Sequence, residues 1–138
     1  MKPKYILLFL ILIFFSCAET ESNKASTLGD VMMLSKLEKA TMHNNSGKFV
    51  LTTKQMKKLQ RELSQMEYEP KFTSKLGSIY IELIIDGKKC GIASRTHGKY
   101  IEVHKNHLSN TKGLPKDRDW FYFKTNGVNF DNYKQANE

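Results

Sequence analysis

Two carboxylates, Glu82 and Glu102, lie in one stretch with Tyr80, Arg95, Tyr100 and His104. Paired acids can hydrolyse glycosidic bonds when one is held protonated and the other ionised. That division of labour needs burial or a charged neighbour to push the two pKa values apart. On a sheet face open to water both acids would be solvated and keep ordinary values. The other signatures of catalysis are missing. The chain has no Gly-x-Ser-x-Gly, no His-Glu-x-x-His and no phosphate loop. A hydrolase using Glu82, Glu102 and His104 therefore stands third among the functional expectations, and no cofactor is implied.

Histidines and cysteines are the remaining candidates for chemistry. His104 and His107 are three residues apart, and His97 sits at the far end of the same strand. An extended run from 97 to 104 covers about 23 Å, far beyond the reach of one metal ion. Exposed histidines and no metal site are expected. The strand register derived below places Cys90 beside Leu83 on the apolar face, so it reads as a small core residue, not an accessible thiolate.

The aromatic run in 119–125 (DWFYFKT) is richer. In a strand, Trp120 and Tyr122 point to one side and Phe121 and Phe123 to the other. One pair belongs to the core. The second pair, taken with Tyr80, Arg95, Tyr100, His104, Lys116 and Arg118, has the makeup of a protein-binding surface. Such side chains bring large contact area at low entropy cost.

The elements that position these residues follow from turns and periodicity. Stretch 78–104 reads as a three-stranded antiparallel meander. Asp86-Gly87 is a two-residue hairpin turn whose favoured form needs positive φ at both positions. Pairing outward from it sets Leu83 opposite Cys90 and Ile81 opposite Ile92. A second turn at His97-Gly98 sets Ser94 opposite Ile101 and Ile92 opposite Val103. The two registers agree, and Ile79, Ile81, Leu83, Cys90, Ile92, Ile101 and Val103 share one face. Tyr80, Glu82, Arg95, Tyr100, Glu102 and His104 share the other, with Ile84 and Ala93. One apolar and one mixed face imply a sheet covered on one side.

The clearest helix spans 52–66. Thr52 and Gln55 match a capping box, Leu51 can staple onto Met56, and Met56, Leu59, Leu63 and Met66 form an apolar stripe. Pro70 bars its continuation. Lys54, Lys57, Lys58 and Arg61 occupy the outer side, as a solvated face or a dock for anionic groups. Residues 30–43 admit a helix capped by Asp30. A strand over 35–43, turning at 44–47 into a strand over 48–51, is preferred. Residues 67–77 read as a connection and 105–118 as a long aperiodic loop. Asn126-Gly127 reads as a turn into a strand over 128–133, and 135–138 as a frayed end.

These elements predict a single α+β domain over 28–134. It is a mostly antiparallel sheet of about five strands, with one helix (about 52–67) on one face. At 138 residues and 40% hydrophobic content there is room for one core only. The formal charge is +8. Lys2 and Lys4 account for two of these charges, which leaves +6 after Ser16.

Two lysines, an unbroken apolar run over 5–15 and then Ser-Cys-Ala describe an export signal, too short to span a bilayer. Export argues against nucleic acid as the partner of the basic charge. Phe14-Phe15-Ser16-Cys17 resembles a bacterial lipoprotein signal, cleaved before a lipid-bearing Cys17. It has phenylalanine where such signals usually carry an aliphatic and then a small residue. Ordinary cleavage after Ala18 is the alternative. The resemblance implies a leader over 1–16, a lipid on Cys17 and a polar tether over 17–27. Ala18, where an Asp would favour inner-membrane retention, implies the outer membrane.

Together these readings make the expected protein a non-enzymatic, lipid-anchored envelope component. It would bind another protein, in the manner of an inhibitor or immunity protein, through the open sheet face and the 105–118 loop. The alternative is a small-ligand or lipid-binding module whose aromatics line a pocket.

Overall fold

The computed structural model describes residues 26–71, 79–95 and 98–137. The leader, Cys17, most of the tether, His97 and the 72–78 connection lie outside them. Asp86 and Gly87 both take positive φ, at 51° and 73°, which closes the expected tight turn. It joins β4 (Tyr80–Ile85) to β5 (Lys88–Arg95), and β6 (Tyr100–His104) pairs with β5 on its other side. Leu83 faces Cys90, Ile81 faces Ile92, Ser94 faces Ile101 and Ile92 faces Val103, as both turns predicted.

The sheet is larger than the sequence suggested. Among the described residues it has seven strands, not about five; with β1 (Leu37–Asn44), β2 (Gly47–Val50), β3 (Glu67–Tyr68) and β7 (Trp120–Lys124) the order is β2-β1-β4-β5-β6-β7-β3, and every pairing is antiparallel. β1 (Leu37–Asn44) and β2 (Gly47–Val50) form the preferred hairpin, and β1 lies along β4. At the other edge β7 (Trp120–Lys124) pairs with both β6 and the two-residue β3 (Glu67–Tyr68). β3 falls in what reads as a connection, because two residues are too few to show alternation.

One layer of helix covers the apolar side. α1 is Leu28–Val31 and α2 is Thr53–Ser64. In α2, Thr52 Oγ1 accepts from the Gln55 amide while Gln55 Oε1 accepts from the Thr52 amide, completing the capping box. Leu59 and Leu63 of α2, and Met66 just beyond it, are buried against the sheet, and Met56 packs beside them. Asp30 does not open a long helix. It is the third residue of α1, and its carboxylate accepts from the Thr27 amide in a second capping box. Ser26 and Thr27, read as tether, are fastened to the domain. Tyr68 N–H donates to Ser26 C=O, and Thr27 bridges Glu67.

The expected strand over 128–133 does not form. Phe130–Asn132 is a 3-10 turn, and Phe130 and Tyr133 enter the core from it, 0% and 2% exposed. Asn44 holds this segment by donating its side-chain amide to the carbonyls of Phe130 and Tyr133 at 2.9 and 2.8 Å. The Tyr133 hydroxyl donates to Glu62 Oε2 of α2 at 2.5 Å. Burial, then that hydrogen bond, pushes the phenol pKa well up. The buried apolar residues of the described chain run from Leu28 to Tyr133 and form one cluster, so the chain from Ser26 onward carries all of it.

If Phe130 is a plug and not a strand residue, truncating it empties part of the core. Phe130→Ala is expected to cost about 3–5 kcal/mol in urea unfolding, and Val128→Ala less than about 1. Equal small losses at both positions would contradict the plug.

Candidate interaction surface on the open sheet face

Alternation along the strands leaves the face opposite α2 without a covering element among the described residues. Tyr80, Glu82, Arg95, Tyr100, Glu102, His104, Trp120 and Tyr122 all share it, as the pairings of β4 through β7 require. Of the aromatic run, Phe121 and Phe123 are the core pair, 1% and 0% exposed. Trp120 stands half exposed at 50% and Tyr80 at 41%. They lie on strands three apart, roughly 14 Å across the sheet.

Each exposed ring is seated. The His104 imidazole meets Trp120 edge-to-face at 4.7 Å between centroids, and His104 Nδ1 accepts from the Asn106 amide. Tyr80 lies across Gly91, where a β-carbon would overlap its phenol, and His43 meets its ring at 5.6 Å. Gly91 is thus a bed for an aromatic ring. An isolated glycine inside a strand pattern is the sequence signal for such close approach.

The two acids differ from the expectation of two solvated carboxylates. Glu102 is buried, 8% exposed, and Arg95 Nη2 donates to its Oε1 at 2.5 Å. Tyr122, its register partner, also hydrogen-bonds it, and burial first and that bond second raise the Tyr122 phenol pKa. A sheet face without a covering layer still buries a carboxylate when neighbouring strands supply an arginine and a phenol.

Glu82 is more open and meets three basic groups. Lys89 Nζ and His43 Nε2 lie 3.0 Å from its carboxylate and Lys48 Nζ 3.8 Å. The Lys89 hydrogen bond, foremost, holds the Glu82 pKa below the usual carboxylate range, and Glu82 in turn raises that of Lys89. His43 and Lys48 come from the β1–β2 hairpin, whose place beside β4 the sequence did not disclose. Glu82 aligns with Gly91 and Glu102 with Ala93, so their backbones stand roughly 12 Å apart. The fold does not bring the two acids together, and each has its own basic partners.

The 105–118 loop is tied down along part of its length. The Ser109 amide and hydroxyl donate to the Val31 carbonyl, Asn110 donates to the Asp30 carbonyl, and Ser26 donates to the Lys112 carbonyl. Lys116 is exposed, while Arg118 donates to the Pro70 carbonyl at 2.8 Å near the β3–β7 edge. Lys105 pairs with Asp119 at 2.6 Å and holds that carboxyl below its usual range.

A concavity opens where β6 leaves the sheet. It has a volume of about 500 Å³, with Met32, Met33, Ile85, Cys90 and Leu108 as apolar walls and His107 and Lys88 at its polar side. His107 Nδ1 stands in hydrogen-bond range of both the amide and the carbonyl of Gly91, taking the place of a departed strand partner. Burial raises the Cys90 thiol pKa, which keeps it protonated and unreactive. Among the described residues, no three His, Cys, Asp or Glu side chains are placed to hold a metal ion.

Because the folded Glu82 carboxyl titrates below its unfolded value, its contribution is present above about pH 4.3 and fades as pH falls through the folded value. Glu82→Gln is therefore expected to lower the melting temperature at pH 7, with the gap to wild type closing below about pH 4. A gap that stays constant down to pH 2.5 would show that the cations do not hold the carboxylate.

Comparison with known protein families, with curated proteins and with solved structures finds no match for this chain, so its residues alone carry the functional argument.

Proposed function

We propose that this chain is a lipid-anchored envelope protein, held through Cys17, that binds another protein with the open face of its sheet. The observation that carries the reading is the half-exposed Trp120, braced edge-on by His104 on a face that also holds tyrosines and ion-paired carboxylates. A large aromatic that is fixed in place loses little entropy on binding and can anchor an interface.

The charge pattern selects the kind of partner. Glu82 and Glu102 each sit among cations, so the face offers both signs in fixed positions. Such a pattern favours a partner with complementary charges, since a mismatched one leaves groups unpaired. A nucleic acid would favour unpaired cations along a track. Seven strands at about 4.8 Å spacing span roughly 29 Å, which with side-chain relief approaches the ~800 Å² that one partner gives to a standard interface. Tyr80, Arg95, Tyr100, His104, Trp120 and Tyr122 form the proposed surface. Lys116 and Arg118 belong to its rim, and 109–112 of the loop is committed to the domain's other contacts.

The concavity beside Cys90 favours a second reading, a module for a small apolar ligand, because its size lies in the usual range for such sites.

A chain beginning at Ser26 is expected to capture one saturable partner from detergent-solubilised envelope. Trp120→Ala and Tyr80→Ala should each weaken capture at least tenfold while leaving the melting temperature within a few degrees of wild type. No partner, or capture indifferent to both substitutions, would defeat the reading. A rise in melting temperature with apolar ligands, abolished by Leu108→Trp, would then favour the cleft. The anchor has its own test. In bacteria expressing the full chain, Cys17→Ser should abolish the added lipid mass.

A further inference from the structure

We infer that the outer side of α2 docks onto an anionic lipid surface, and that this turns the open sheet face away from the membrane. The inference deepens the proposed function and rests on its anchored reading. It is carried by two observations that are independent of each other, unpaired charge on one helix side and the place where the chain enters the domain.

Lys54, Lys57 and Arg61 recur at helical spacing along the exposed side of α2. Among the described residues none of the three is paired with a carboxylate. The fourth cation, Lys58, is engaged by Glu62 at 3.7 Å and lies over the Tyr133 ring. This separates α2 from the sheet face, where Lys48, Lys89 and Arg95 sit beside Glu82 or Glu102. A row of unsatisfied cations suits phosphate head groups, which meet point charges without demanding a shape. An acidic protein would also supply anions, but the point of chain entry favours the membrane.

The first described residues lie at the β3 edge, where Tyr68 N–H donates to Ser26 C=O, and the chain passes from there straight into the helical layer. Leu28 N–H donates to Met66 C=O just beyond the end of α2, and Gly29 abuts Ser64 so closely that a β-carbon there would overlap its backbone. Cys17 lies nine residues before Ser26, a reach of at most about 32 Å. α2, at twelve residues, is about 18 Å long. A lipid on Cys17 therefore holds the α2 layer within reach of the head groups, and its cations act at high local concentration.

The test uses the chain from Ser26, which lacks Cys17 but keeps every buried apolar residue of the described chain. Its result is then independent of whether Cys17 carries lipid, which mass measurement on the full chain decides separately. Co-sedimentation is measured with vesicles of phosphatidylglycerol and phosphatidylethanolamine, and with phosphatidylcholine alone, at about 20 mM and about 150 mM salt. Partition onto the anionic vesicles is expected at low salt, falling as salt rises. The triple variant K54E/K57E/R61E should lose on the order of a hundredfold, since each cation near such a surface strengthens binding about fivefold. The variant K39E/K71E/K99E changes net charge equally at exposed positions off α2 and should bind as wild type within about threefold. Equal loss in both variants would show that net charge alone is responsible and would overturn the docking face. So would absence of partition by the wild-type chain at low salt.

Discussion

The alternation of side chains along β4, β5 and β6 is the constraint on which the rest of this structure depends. A strand cannot turn one residue without turning all of them, so a one-residue slip at Asp86-Gly87 would exchange the faces entirely. Ile81, Leu83, Ile92, Ile101 and Val103 would meet water, and Glu82 and Glu102 would meet Leu59 and Leu63. The first error exposes several large apolar groups and the second buries charges without partners, each costly by itself. The turn, with positive φ at both positions, fixes the register at its source. β1, β7 and the helical layer are then added to faces already decided.

That constraint also explains which parts of the molecule were legible in its sequence. The meander was readable because two turns fixed it independently and because alternation over five to eight residues is a strong pattern. α2 was readable because its cap and its apolar stripe agree. The β3 edge and the segment after β7 were not. β3 has only Glu67 and Tyr68, and its pairing with β7 is decided by tertiary packing, Tyr68 meeting Phe121 and Phe123. Phe130 and Tyr133 looked like strand residues after an Asn-Gly turn. Yet their spacing of three suits a 3-10 turn that drops both rings into one end of the core. Pattern gives periodicity within a segment but not the partner across space.

The candidate surface divides in the same way. Which residues share the open face followed from period two, and Tyr80, Arg95, Tyr100, His104, Trp120 and Tyr122 are all there. Their energetics did not follow. The expectation of solvated acids assumed that an uncovered face is a wet one. Glu102 contradicts it because a central strand has neighbours on both sides, and Arg95 and Tyr122 lean over it from β5 and β7. Gly91 makes the complementary point. By leaving out a side chain it lets Tyr80 lie down, so the face becomes a layered surface of rings and ion pairs.

A basic chain is commonly read through its total charge, but here the placement of the charges is more informative than the sum. Lysines on β2 and β5 converge on one carboxylate, and arginine on β5 on another, so the sheet face is close to internally satisfied. Its remaining drive for association is aromatic and orientational. Lys54, Lys57 and Arg61 on α2 have no such neighbours among the described residues, because a helix packed by its apolar stripe against a sheet turns its outer side to solvent, and only Lys58 finds a carboxylate, in Glu62. The same residue type thus does two physically different things on the two sides of a sheet one strand thick. On one side it fixes a carboxylate in position, and specificity is gained from the geometry of the pairs. On the other it remains hydrated and long-ranged, sensitive to salt and indifferent to the shape of what it meets. A domain with these two sides presents a selective surface in one direction and an unselective one in the other.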